Sequence, residues 1–179
     1  MPVLSSHRGI THGVLIAMIC AAAFGAPAPS AAQQPQSHPL ASIRVTGKVE
    51  HALTLVDADL QALPRKKVNV SDERGNKVSY EGVPVAEILR RAGVPLAKQL
   101  RGPALALYVL VSAADGYRAV FALAEFDPEF TDRVIVLADS RDGRHLMPSE
   151  GSFRIIVPGE KRHARWVREV ISLDIQEAH

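Results

Sequence analysis

Hydrophobic and polar residues alternate with a period of two along much of the chain, the pattern that buries one face of a β-strand and leaves the other wet. Ile43-Arg44-Val45-Thr46-Gly47 shows it, as does Leu53-Thr54-Leu55-Val56, and the two are close enough to pair as a hairpin across residues 48–52. Lys66–Val70 and Lys77–Tyr80 read as strands joined by a turn at Glu73-Arg74-Gly75-Asn76. Leu105–Ala113 is apolar almost throughout, which predicts a central strand buried on both sides. Arg118–Ala122 returns after an Asp115-Gly116 turn, and Val134–Ala138 supplies a further strand. The last stretch is the most organised. Arg154–Val157 is a β-branched run that stops at Pro158-Gly159, Glu160–Arg165 crowds cations around one acid, and Trp166–Ile175 alternates again as a second strand. Two paired strands would then present a turn and a basic cluster at one rim.

Helical periodicity is sparse. Asp57–Leu63 predicts one or two turns, with Asp57 at the N-cap and Pro64 as the stop. Glu81–Pro95 places Val85, Ile88, Leu89 and Ala92 on one face, with Pro84 in the first turn, Gly93 in a left-handed C-terminal position and Pro95 beyond. Leu123–Phe126 opens a short helical segment that Pro128 interrupts, Asp142-Gly143 is a turn, and Leu146–Gly151 is a loop. Many short strands, few helices and no internal repeat predict an α+β domain with a mixed, largely antiparallel sheet.

The N-terminal pattern differs from the rest. Arg8 with His7 and His12 precedes an apolar run, Val14–Phe24, too short to span a bilayer, and Ala26–Ala32 supplies small residues with Ser30 and Ala32 in a cleavage pattern. We expect a Sec-type signal peptide over residues 1–32, a flexible lead-in over 33–42 and one domain over 43–177, in a periplasmic or secreted chain with no transmembrane segment after cleavage. Cys20, the single cysteine, lies in the apolar run, so the mature chain would have neither thiol nor disulfide. Its 179 residues, 47% hydrophobic and 22% charged, suit one globular domain. A net charge of +2 gives no whole-molecule attraction to nucleic acid or membrane, so the basic loop is a local feature.

Candidate chemistry gathers in that loop. Lys161, Arg162, Arg165 and Arg168 are suited to phosphate oxygens, and the competing reading is a solvated rim around a turn. Trp166, the only tryptophan, fits either a core cap or a pocket wall. His51, His145 and His163 have none of the short spacings that place two metal ligands on one element, and Asp139, Asp142, Glu150 and Glu160 read as loop charges. No metal site is expected from these residues.

Taken in order, Tyr80-Glu81-Gly82-Val83-Pro84 before a helix ending Ala92-Gly93-Val94, then Ala114-Asp115-Gly116-Tyr117, Leu137-Ala138, Gly143, Leu146, Gly151, Val157-Pro158-Gly159 and Arg165-Trp166-Val167 form an ordered set. In that order and spacing the chain resembles the oxidoreductase molybdopterin-binding domain family, with its sulfite oxidase-like fold, over roughly Ile43 to Ile175. The resemblance implies molybdopterin as cofactor, held in part by the loop carrying Lys161, Arg162, Arg165, Trp166 and Arg168. It also makes Asp115 and Tyr117 the candidate catalytic pair facing a substrate, although Asp-Gly is a favoured turn dipeptide in its own right. In enzymes of the family a cysteine thiolate binds molybdenum, from the segment just before the position of Tyr80-Glu81-Gly82-Val83. Here Val68–Lys77 contains no cysteine, and Ser71, near the expected place, offers a harder and far less acidic oxygen. Molybdenum is therefore not expected. The leading reading is a binding module for a pterin or similar small anionic ligand. The alternatives are an active molybdenum-cofactor oxidoreductase in which Tyr117 and Arg165 contact an oxyanion such as sulfite, and a non-catalytic subunit docking to a periplasmic redox partner.

Overall fold

The computed structural model describes residues 41–178, so the expected leader and nearly all of the lead-in lie outside the described residues. In chain order the first half contains β1 (Ser42–Gly47), β2 (Leu53–Val56), α1 (Asp57–Gln61), β3 (Lys66–Ser71), β4 (Lys77–Pro84) and α2 (Val85–Arg91). The second half contains β5 (Leu107–Ala113), β6 (Arg118–Ala122), β7 (Val136–Arg141), β8 (Arg144–His145), β9 (Arg154–Ile156) and β10 (Val170–Glu177), with short 3₁₀ turns between. The class is α+β as expected, but the strands divide between two sheets. One runs β2-β1-β10-β5-β6; the other runs β3-β4-β7-β8, with β9 also pairing with β7. Only β1 and β10 pair in parallel among the described strands. One hydrophobic core draws on both sheets and on α2.

Alternation accounts for most elements. In β1, Ile43 and Val45 are buried while Arg44 and Thr46 face out, and the predicted hairpin with β2 forms. β5 departs from expectation, for only Leu107, Val109, Val111 and Ala113 are buried. Its other face pairs with Ser112↔Arg118 and Leu110↔Val120 on one side and with Ser112↔Ser172 and Leu110↔Asp174 on the other. Those neighbours are polar or exposed, so the sheet has a wet face and β5 is covered on one side.

Three further boundaries differ for identifiable reasons. Glu81–Pro84 extends β4 rather than opening α2, because pairing with β7 continues to Pro84↔Val136 and the Val85 amide donates to the Ile135 carbonyl (3.0 Å). The N-cap of α1 is Val56, whose amide donates to the Asp59 carboxylate (3.0 Å), and Asp57 is the first helical residue. Arg154–Ile156 and the final strand do not pair with each other along their length. They belong to different sheets, joined by single bonds such as Ile155 N–H to Val167 C=O (2.8 Å). The final strand begins at Val170, not Trp166, because Glu169 takes a left-handed φ of 51° that breaks extended backbone.

Among the described residues no helix is long and apolar enough to cross a membrane.

Candidate functional site

The 160–168 loop hangs between the two sheets, since β9 feeds it from one and β10 receives it in the other. On one side of it lies a cleft of about 580 Å³ reached by Tyr80, Arg141, Glu150, Arg154, Trp166 and Arg168 among others. On the other lies a cleft of about 790 Å³ bounded by Ser71, Lys77, Gly159, Lys161 and Arg162. Asp72, Glu73, His163, Ala164 and Trp166 line both, so the two are neighbouring lobes with a shared wall.

The floor of the first lobe is an ionic cluster built from four elements. Glu150, on the 3₁₀ turn Pro148–Glu150, is buried. It accepts a hydrogen bond from Arg154 Nη1 and one from the Tyr80 hydroxyl at 3.2 Å, and Arg141 Nη1 lies 3.8 Å away. Arg141, at the end of β7, also approaches Asp72 at 3.6 Å and Asp142 at 3.7 Å. The Arg154 guanidinium stands 5.7 Å from the Tyr80 ring centroid and 5.8 Å from that of Trp166, within cation–π range. Burial raises the Tyr80 phenol above its ordinary value of 10.0, against the opposing pull of Arg154, so the hydroxyl keeps its proton and remains a donor. For Asp72 desolvation works against the charged form. Amide bonds from Asn76 (2.8 Å) and Arg74 (2.9 Å) and the nearby Arg141 outweigh it, and its carboxyl lies below the usual range.

The shared wall is aromatic. Trp166 is buried, donates its indole N–H to the Val157 carbonyl (3.0 Å) and meets the Tyr80 ring edge-on with centroids 6.2 Å apart. The His163 ring stacks on it at 3.7 Å. Trp166 thus both caps the core and lines the clefts.

The loop cations divide in two. Lys161 and Arg162 border the second lobe and Arg168 the first; all three are exposed, and none has an ion pair or side-chain hydrogen bond to another described residue. Exposed Arg74 adds a fourth such cation to the first lobe. Arg165 turns away and lines neither lobe. Its guanidinium bonds Glu160 through Nε (2.8 Å) and Nη2, and Glu125 through Nη1 (2.9 Å), partners that raise its pKa further. Asp115 and Tyr117 reach the first lobe, but Asp115 accepts the Tyr117 amide (2.8 Å) and the Tyr117 hydroxyl donates to the Ala164 carbonyl (2.8 Å). The tyrosine proton is thus already used within the protein. Ser71 borders the second lobe and accepts from Lys77 Nζ (3.1 Å).

Sequence reasoning missed Arg74, Arg141, Arg154, Tyr80 and the burial of Glu150. One signal was present: Arg154 opens an otherwise apolar run, and an ionisable residue at the start of a buried strand calls for a buried partner.

A family model described as the oxidoreductase molybdopterin binding domain matches residues 28–179. Among solved structures the chain is similar to the sulfane dehydrogenase SoxCD from Paracoccus pantotrophus, with 21% sequence identity and a TM-score of 0.62. The match covers 77% of this chain and 38% of that one, so the chain spans well under half of its structural neighbour. At that identity the likeness shows the fold. None of the curated proteins matches.

Proposed function

We propose a function from one premise: the chain belongs to the oxidoreductase molybdopterin-binding domain family. Our reading is a periplasmic or secreted binding module that holds a pterin or a related small anionic molecule in the paired clefts. The observation that carries it is the convergence of Arg74, Lys161, Arg162 and Arg168, whose side chains have no partner among the described residues, around a stacked His163–Trp166 wall, in a chain whose net charge is only +2. A fused heterocycle can lie against such a wall, and exposed guanidinium groups can take up phosphate or carboxylate oxygens. The export pattern of residues 14–32 supports the location.

The donor set fits one part of molybdopterin and not the other. The pterin and its phosphate would meet Arg168, Arg74, Lys161 and Arg162. When bound, that cofactor supplies a dithiolene for a metal, and the family's enzymes add a protein thiolate. Val68–Lys77 provides no thiol, and the hydroxyl of Ser71 is occupied by Lys77. Binding and orientation are what the residues support.

Titration with pterin-6-carboxylate, an anionic pterin, followed by calorimetry, tests this reading. Replacing Arg168 and Arg162 together with Ala should weaken binding about tenfold or more, since even one charge-assisted bond contributes about 1.5–3 kcal/mol. Equal affinity in the double variant would remove the loop cations from the site.

A further inference from the structure

We propose that Arg165 is a positioning residue, a latch that fixes the His163–Trp166 wall by tying its loop to β6, the outer strand of the sheet that contains β10. It rests on the reading of the clefts as an anion site and adds how that site is held in shape. Its neighbours Lys161, Arg162, His163, Ala164, Trp166 and Arg168 all line a lobe, whereas Arg165 does not.

Its contacts lead in the other direction. β6 is an outer strand of its sheet. Arg165 Nη1 lies 3.4 Å from the Val120 carbonyl on that strand and 2.9 Å from Glu125 Oε1. The same Glu125 oxygen accepts the Ala122 amide (3.1 Å), so one carboxylate joins the end of the strand to the guanidinium. The guanidinium also lies over the buried Phe121 ring, 4.5 Å from its centroid. Glu160, at the start of the loop, completes the clamp through Nε and Nη2. A second tie sits one residue earlier, where Tyr117 donates to the Ala164 carbonyl. The loop backbone is thus fastened at consecutive residues to β6 and to the turn before it. The other Glu160 carboxylate oxygen is buried with no hydrogen-bond partner among the described residues.

A latch and a direct ligand contact make opposite predictions at Glu125. If Arg165 were an anion ligand restrained by its carboxylates, Glu125→Gln would release it and tighten binding. As a latch, Glu125→Gln should weaken binding in the same sense as Arg165→Ala. Trp166, the only tryptophan, reports the wall directly through acrylamide quenching of its fluorescence in the ligand-free protein. Both variants should raise the quenching constant roughly twofold as the loop opens locally, and each should lower affinity for pterin-6-carboxylate about fivefold. Tyr117→Phe, which removes the second tie, should raise quenching in the same direction, with far-UV circular dichroism confirming that each variant is folded. Tighter binding in Glu125→Gln, or quenching unchanged in both Glu125→Gln and Arg165→Ala, would overturn the latch. If wild type fails to bind the pterin while the variants still raise quenching, the latch stands and the function proposed above falls.

Discussion

Glu150→Ala is expected to lower the free energy of unfolding by about 3–5 kcal/mol, the usual cost of removing one partner from a buried ion pair. The wild-type carboxylate accepts from Arg154 and from the Tyr80 hydroxyl, with Arg141 close by. Arg154 is largely buried and its Nε has no hydrogen-bond partner among the described residues, so the truncated variant leaves a cation with no carboxylate among those residues, against the faces of Tyr80 and Trp166. The effect comes from the stranded charge rather than from the value of the pair. A urea titration should show the midpoint falling with little change in slope. A loss under about 1 kcal/mol would mean that Arg154 escapes to water and that the cluster is looser than drawn.

Gly82→Val should destabilise by about 3 kcal/mol or more, at or beyond the upper end of ordinary overpacking. Gly82 sits at the irregularity between β4 and β7, where any Cβ would run into the Leu137 carbonyl and the Ala138 backbone. Backbone cannot rotate aside as a side chain can, so the two strands must part. Because β4 carries Tyr80 and β7 ends in Arg141, the floor of the first lobe should loosen with them. Gly75→Ala is the control: it has no heavy atom within 4 Å of its would-be Cβ, and only its φ of +83° opposes the change, at about 1–2 kcal/mol. Thermal and urea midpoints of the two variants would separate collision from backbone strain. Equal losses would contradict the close approach of β4 and β7.

Local pattern was enough for several of the elements. The β1–β2 hairpin, the apolar face of α2 and the Asp115-Gly116 and Asp142-Gly143 turns follow from alternation, helical spacing and turn chemistry, all of which act within a few residues. The ordered set from Tyr80-Glu81-Gly82 to Arg165-Trp166-Val167 carried the family, which the match over residues 28–179 shows. What the sequence hid was decided at long range. Lys161, Arg162, Arg165 and Arg168 look alike along the chain, and Arg165 is set apart by its pairing with Glu160 in the loop and with Glu125, forty residues upstream. Glu150 reads as a loop charge until Tyr80 arrives from seventy residues away. The start of β10 at Val170 rather than at Trp166 follows from the left-handed backbone at Glu169, for which glutamate gives no local signal.

The proposed role is that of a domain that holds an anionic pterin in its clefts while lacking the sulfur that would anchor a metal. Its most direct test is the small-molecule and elemental content of the chain purified from a host that makes the molybdenum cofactor. We expect an anionic pterin at near-stoichiometric level with molybdenum well below one atom per chain, and loss of the pterin in the Arg162, Arg168 double variant. A preparation carrying one molybdenum per chain and oxidising sulfite would contradict it.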